Sequence, residues 1–276
     1  MSWVTYQMLR NKRYVSMLTG VLTEQQLTRI GGAAVGVLGH TTAKGLPNAV
    51  TITPYVVDGR LVVTSTLALI QKATALLADP RVTLSAGGVV VEGVATVQVD
   101  LTPQYFDRFI RAQELRKFPP ARALLALPFH RTLLPWYVGR VIIQIQPQEL
   151  LDQQLDDAVT LTGLDVAGRL WTRNIPSPSS LSDGRVDLSA AVADGPALLL
   201  LHEEDVAMRD PRQMAVRGVI GAGVLEVTAR RGSLDPSSKS STDELRSLRH
   251  LARAAKRNRA LLTTWPRYTP NEEHRP

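Results

Sequence analysis

With 276 residues, the chain is long enough for one large domain or two of ordinary size. It has no cysteine, which excludes disulfides, thiolate metal sites and thiol nucleophiles, and its five histidines include no pair at helical ligand spacing, so no metal site is expected. The net charge of +7 sits mostly at one end: residues 230–276 hold eleven Lys/Arg against five Asp/Glu, and the rest is close to neutral.

No apolar run approaches the ~20 residues of a membrane span. The first thirty residues lack the apolar core and small-residue cleavage site of a secretory leader. A cytoplasmic protein with no membrane partner is expected.

Residues 1–22 read as an N-terminal arm. Thr23 and Gln26 form a capping box that starts a helix, which ends near Gly31-Gly32. Four apolar runs follow up to Asp100. They are separated by Lys44-Gly45, by Asp58-Gly59, by a short helical insert closed at Asp79-Pro80, and by Gly87-Gly88. This order of strands and turns suits a small antiparallel barrel. Thr102-Pro103 opens a further helix, with Phe106, Phe109 and Ile110 on one face. A proline-broken helical stretch leads to a strand from Val138 to Ile145, which Pro147 is expected to limit.

A second unit begins near Asp157. The stretch from Ala158 to Pro176 echoes that from Ala34 to Pro54, Asp183-Gly184-Arg185 echoes Asp58-Gly59-Arg60, and residues 196–227 echo residues 81–99 with a longer hairpin connection. A degenerate internal repeat is expected over 151–231, following a first unit at 23–150. His202-Glu203-Glu204-Asp205 reads as a solvated hairpin tip. Residues 232–276 read as a polar linker and a basic helix capped by Ser241 and Glu244. Leu245, Leu248, Leu251, Ala252 and Ala255 form its apolar face, and Arg246, Arg249, Arg253, Lys256, Arg257 and Arg259 occupy the remainder.

The first unit resembles the pyridoxamine 5'-phosphate oxidase-like split barrels, a superfamily of flavin- and deazaflavin-dependent proteins. The resemblance lies in the order of the strands and turns, and most of all in Ile70-Gln71-Lys72 followed by Asp79-Pro80-Arg81-Val82. Val91-Glu92-Gly93 and Trp136-Tyr137-Val138-Gly139-Arg140-Val141 add to it. It implies a mainly β fold with flanking helices: a split β-barrel, with a second, degenerate split-barrel repeat. It also implies that a cofactor phosphate meets Thr64, Ser65, Thr66, Gln71 and Lys72, that the ring meets Thr51 and Thr53, and that Trp136 and Tyr137 stand near the ring or the barrel mouth. Hydroxyls, amides, a helix N-terminus and one fixed cation are what a phosphate requires. Ile70 and Gln71 depart from the pattern, standing where many flavin mononucleotide (FMN) proteins carry Ser or Arg.

The resemblance implies an oxidoreductase in which the cofactor carries the hydride, so a side-chain acid or base is not required. Coenzyme F420, a deazaflavin, is preferred over FMN, since the closing strand and the Gly/Ala/Arg-rich composition look actinobacterial. Three other readings stay open: a binding protein for flavin or haem without turnover, nucleic-acid binding through the basic helix, and a homodimer or an intrachain pseudo-dimer. In the pseudo-dimer only one site survives, because the second unit has Val192-Ala193-Asp194-Gly195-Pro196 where Lys72 should have its counterpart.

Overall fold

The computed structural model describes residues 18–153, 155, 158–178, 184–188, 192–203, 212–235 and 241–270. Most of the N-terminal arm, residues 204 and 205 of the acidic run, and the capping side chains of Ser241 and Glu244 lie outside the described residues.

A two-residue strand, β1 (Leu18–Thr19), precedes α1 (Glu24–Gly32). The Thr23 hydroxyl accepts from the Gln26 amide at 3.2 Å, and the Gln26 side chain accepts from the Thr23 amide at 3.0 Å, completing the capping box. The first sheet is built from β2 (Gly36–Thr41), β3 (Pro47–Ile52), β4 (Pro54–Val57), β5 (Arg60–Thr66), β6 (Arg81–Ala86), β7 (Val89–Asp100) and β8 (Arg140–Asp152), in the order β3-β2-β6-β7-β8-β5-β4, with β1 on β8. The insert helix α2 (Gln71–Ala78) joins β5 to β6.

Between β7 and β8 the chain is helical. A π-helical turn, Phe106–Ile110, runs into α3 (Arg111–Lys117), and three short helices follow: α4 (Pro120–Leu125), α5 (His130–Leu133) and α6 (Pro135–Val138). Thr102 and Asp100 together hold the start of this region: the Thr102 hydroxyl accepts from the Gln104 amide at 3.3 Å, and the Asp100 carboxylate accepts from the amides of Thr102 at 2.8 Å and Tyr105 at 2.7 Å. Trp136 and Tyr137 belong to α6, so the closing strand starts two residues later than expected, at Arg140.

Pro147 does not limit β8. The pairing of β7 with β8 shifts between Glu92 and Gly93, leaving Gln148 opposite no residue, and this bulge is where a residue without an N–H is tolerated. A Cβ on Gly93 would stand 2.2 Å from the Gln146 carbonyl oxygen, so the bulge requires glycine.

The second sheet contains β9 (Ala158–Leu164), β10 (Leu170–Pro176), β11 (Arg185–Asp187), β12 (Gly195–Glu203), β13 (Arg212–Gly221) and β14 (Val224–Ser233). Its order, β10-β9-β12-β13-β14-β11, matches the order β3-β2-β6-β7-β8-β5 of the first, strand for strand. Each sheet has its own core. Leu38, Val63, Leu84, Val91 and Ile143 lie in the first, and Leu161, Ile175, Leu199, Val216 and Leu225 in the second. Burial of each such side chain is worth about 1.5–3 kcal/mol.

The sheets meet across Val37, Ala49, Leu198 and Leu200. Beside this apolar contact, the Thr83 and Thr172 hydroxyls are 2.6 Å apart and Ser85 donates to Asn174 at 2.7 Å. Buried Glu92 receives Arg173 at 2.8 Å and Arg169 at 2.7 Å.

The C-terminal helix α7 (Ser241–Leu262) and the segment after it pack on the first barrel. Ala255, Leu262, Trp265 and Tyr268 are part of its core. Asn258 donates to the carbonyls of Leu67 at 3.0 Å and Ala68 at 3.2 Å. Val99 exchanges backbone bonds with Pro266 and Tyr268. The six cations from Arg246 to Arg259 face solvent. No helix among the described residues is long and apolar enough to cross a membrane.

Candidate functional site

A cleft of about 350 Å³ opens where the first barrel meets the second sheet. One wall is the chain running from β3 into β4, with Thr51, Ile52, Thr53 and Tyr55. A second is the end of β5 and the start of α2, with Thr64, Ser65, Thr66, Leu69 and Lys72. Glu114, Phe118, Tyr137 and Arg140 form the floor, and His202, Arg212 and Gln213 come from the second sheet.

Alternation along β5 buries Val63 and Ser65 while Thr64 and Thr66 stay half-buried. The Ser65 and Thr66 hydroxyls are both shielded from solvent and have no hydrogen-bond partner in the structure. A buried polar group left without a partner costs about 1–3 kcal/mol, so two adjacent ones mark a place prepared for something else. Immediately after them, α2 begins at Ile70, which offers no side-chain cap. The N–H groups of a first helical turn have no intrahelical acceptor and carry positive partial charge. Lys72 lies in that turn. It is half-buried, desolvation pulls its pKa down to about 8, and it has no hydrogen bond or ion pair among the described residues. Two hydroxyls and one ammonium without partners among the described residues thus lie at the junction where α2 starts.

The floor is a polar network centred on Glu114, in which only the Arg140 Nε lacks a partner among the described residues. The Glu114 carboxylate accepts from the Tyr55 and Tyr137 hydroxyls, the latter at 2.7 Å, and from Arg140 at 3.2 Å. Arg140 is 2% exposed, also donates to the Tyr137 carbonyl, and its guanidinium lies over the Phe106 and Tyr137 rings at 4.5 and 4.7 Å. Burial first, and then the Glu114 charge, push both tyrosine pKa values up, so neither hydroxyl ionises at neutral pH.

Of the residues expected at the site, Thr51, Thr53, Thr64, Ser65, Thr66, Lys72 and Tyr137 line the cleft. Gln71 and Trp136 do not. Gln71 is exposed on the outer side of α2, and Trp136 is buried edge-on against Tyr137 at 5.9 Å between ring centres. Thr51 donates to Gln213 at 3.1 Å, tying the two sheets together at the cleft mouth. Sequence reasoning passed over Glu114 and Arg140, which meet only through folding, and Gln213, which lies 162 residues from its partner. Among the described residues no group of His, Asp or Glu is placed to hold a metal ion.

The fold is a split barrel. No protein-family model matches the chain, and no curated protein does. Solved structures similar to it include an F420 reductase, 18% identical, covering 48% of this chain and 100% of that one with a TM-score of 0.36. A putative pyridoxamine 5'-phosphate oxidase from Listeria innocua is 19% identical and covers 46% and 94%, with a TM-score of 0.34. HutZ, the haem storage protein from Vibrio cholerae, is 14% identical and covers 48% and 95%, with a TM-score of 0.33.

Proposed function

We propose that the cleft binds a phosphate-bearing flavin-type cofactor and that the chain is an oxidoreductase, with coenzyme F420 preferred and FMN second. The observation that carries this reading is the β5–α2 junction, where Ser65, Thr66 and Lys72 line one cleft and the Ser65 and Thr66 hydroxyls have no partner. A phosphate monoester or diester supplies the oxygens all three lack. The seat contains no arginine, since Ile70 and Gln71 stand before Lys72, so the headgroup is held by one point charge and hydroxyls rather than by a bidentate fork.

When bound, the cofactor supplies the hydride chemistry. The chain's residues bind and orient it. Thr51 and Thr53 border the ring from β3 and the residue after it, the Glu114 network keeps the floor rigid, and the second sheet covers the mouth and restricts water. The matching strand orders support reading the two sheets as two copies of one unit.

The test is titration of the purified chain with F420 and with FMN, followed by absorbance and by quenching of cofactor fluorescence. Saturable binding of either one, competed by inorganic phosphate, supports the reading; binding of neither refutes it. A chain that binds but passes no hydride to any acceptor would be a carrier instead of an enzyme.

A further inference from the structure

The two sheets agree beyond their strand order. The β2–β3 turn spans residues 42–46 and the β9–β10 turn spans 165–169, and Gly45 and Gly168 occupy the same place in them with φ of 70° and 73°. The bulge at Gly93 has its counterpart at Gly218. There the pairing shifts between Arg217 and Gly218, and a Cβ would stand 2.1 Å from the Glu226 carbonyl oxygen. The packing is reciprocal as well: β3 lies against β9 and β12, and β10 lies against β2 and β6. The units are therefore related by an approximate two-fold axis, which demands a second cleft in the mirror position.

That second cleft exists, and it has been altered. It measures about 190 Å³ and is lined by Ala158, Asn174, Gly87 and Gly88, the counterparts of Val35, Thr51, His202 and Gln213, and it shares Val35 and His202 with the first. The chain's own Gln153 reaches into it, its side chain accepting from the Asn174 amide at 3.0 Å. The seat is missing too. In the sequence, Ser189-Ala190-Ala191 follow Leu188 as Thr64-Ser65-Thr66 follow Val63, so two hydroxyls are lost. Residues 189–194 are too few to hold a counterpart of α2, so Lys72 has none.

The opposite exchange has occurred at the hairpins. In the first unit only Gly87 and Gly88 join β6 to β7. In the second, residues 204–211 join β12 to β13, and the strand ends on either side bring His202 and Gln213 to the first cleft. One unit carries the seat, and the strand ends of the other reach the cleft beside it.

We infer that each chain binds a single ligand, in the first cleft, and that His202 and Gln213 of the second unit contact it directly. The ligand's class rests on the function proposed above, but the count and the contacts do not. The experiment is titration of the full chain at known concentration with F420 or FMN, alone and after His202→Ala and Gln213→Ala. His202 is half-buried and Gln213 exposed, so neither change threatens folding. One ligand per chain is expected, with each substitution weakening binding at least fivefold and leaving the count unchanged. Two ligands per chain, or unaltered affinity in both variants, overturns the inference.

If neither nucleotide binds, the proposed function falls, and the anionic aromatic dye ANS then counts the clefts. One dye per chain, bound more weakly by both variants, upholds the division of roles. Two dyes, or insensitivity to both substitutions, refutes it.

Discussion

Replacing Lys72 by methionine keeps the stem and removes the charge, which makes it the sharpest probe of the seat. A hydrogen bond to a charged group is worth about 1.5–3 kcal/mol, so the cofactor should bind roughly 10- to 150-fold more weakly at pH 7. The pH dependence gives a second, independent reading. In the free protein Lys72 has its pKa pulled down to about 8 by desolvation, whereas a bound phosphate favours the ammonium and raises it. Below pH 8 the charge is already present. Above it, binding must take up a proton, so wild-type affinity falls as pH rises, by at most about tenfold per unit.

Folding stability runs the other way. From pH 8 to the ordinary lysine value of 10.5 the unfolded chain holds more protons than the folded one, so stability rises with pH across that window. Below it the folded state carries the full cost of a desolvated charge. At pH 7 the Lys72→Met protein should therefore melt at a higher temperature than wild type when ligand-free, while binding its ligand worse. Calorimetric titration at pH 7, 8 and 9, with thermal melts of both proteins, reads all of this. Equal affinities at pH 7 together with a flat wild-type profile would refute the role given to Lys72.

Ser65→Ala removes a buried hydroxyl that has no partner in the free protein. It should leave the ligand-free melting temperature equal or higher, while weakening cofactor binding by about 0.5–1.5 kcal/mol in the same titration. Glu114→Ala strands the Arg140 guanidinium in the floor without its counter-charge. A loss of about 3–5 kcal/mol in urea unfolding is expected, with Glu114→Gln losing less because its amide oxygen still accepts. Trp265→Ala opens a hole in the first barrel's core and should cost about 3–5 kcal/mol, whereas Arg257→Ala on the outer face of α7 should change unfolding by less than about 0.5 kcal/mol.

The strands of the first unit were legible because their signals are local. Lys44-Gly45, Asp58-Gly59 and Gly87-Gly88 all fall in turns, at glycines with positive φ, and Asp79-Pro80 ends α2 where the sequence places its end. The Thr64–Thr66 and Lys72 grouping was legible only through a resemblance, since hydroxyl-rich strand ends are common. What escaped depends on contacts made far along the chain. Nothing in the sequence near Glu114 says that Arg140 will meet it, and surface arginines look the same in a sequence as buried ones. Pro147 was read by the rule for regular strands, and the bulge at Gly93 supplies the exception. The apolar stripe of the basic C-terminal helix was legible from its spacing, but that the first barrel is what it packs on was not, because periodicity shows a buried face and not its partner.

The docking of Leu262, Trp265 and Tyr268 against β7 also bears on how the protein is made. A chain emerges from the ribosome from its N-terminus, and domains generally fold as they appear. Here the first barrel to emerge is sealed by residues 262–268, which come out after the whole second sheet. During synthesis the backbone of Val99 therefore lacks these partners on one side of β7 until residues 266–268 have emerged, leaving a short open sheet edge.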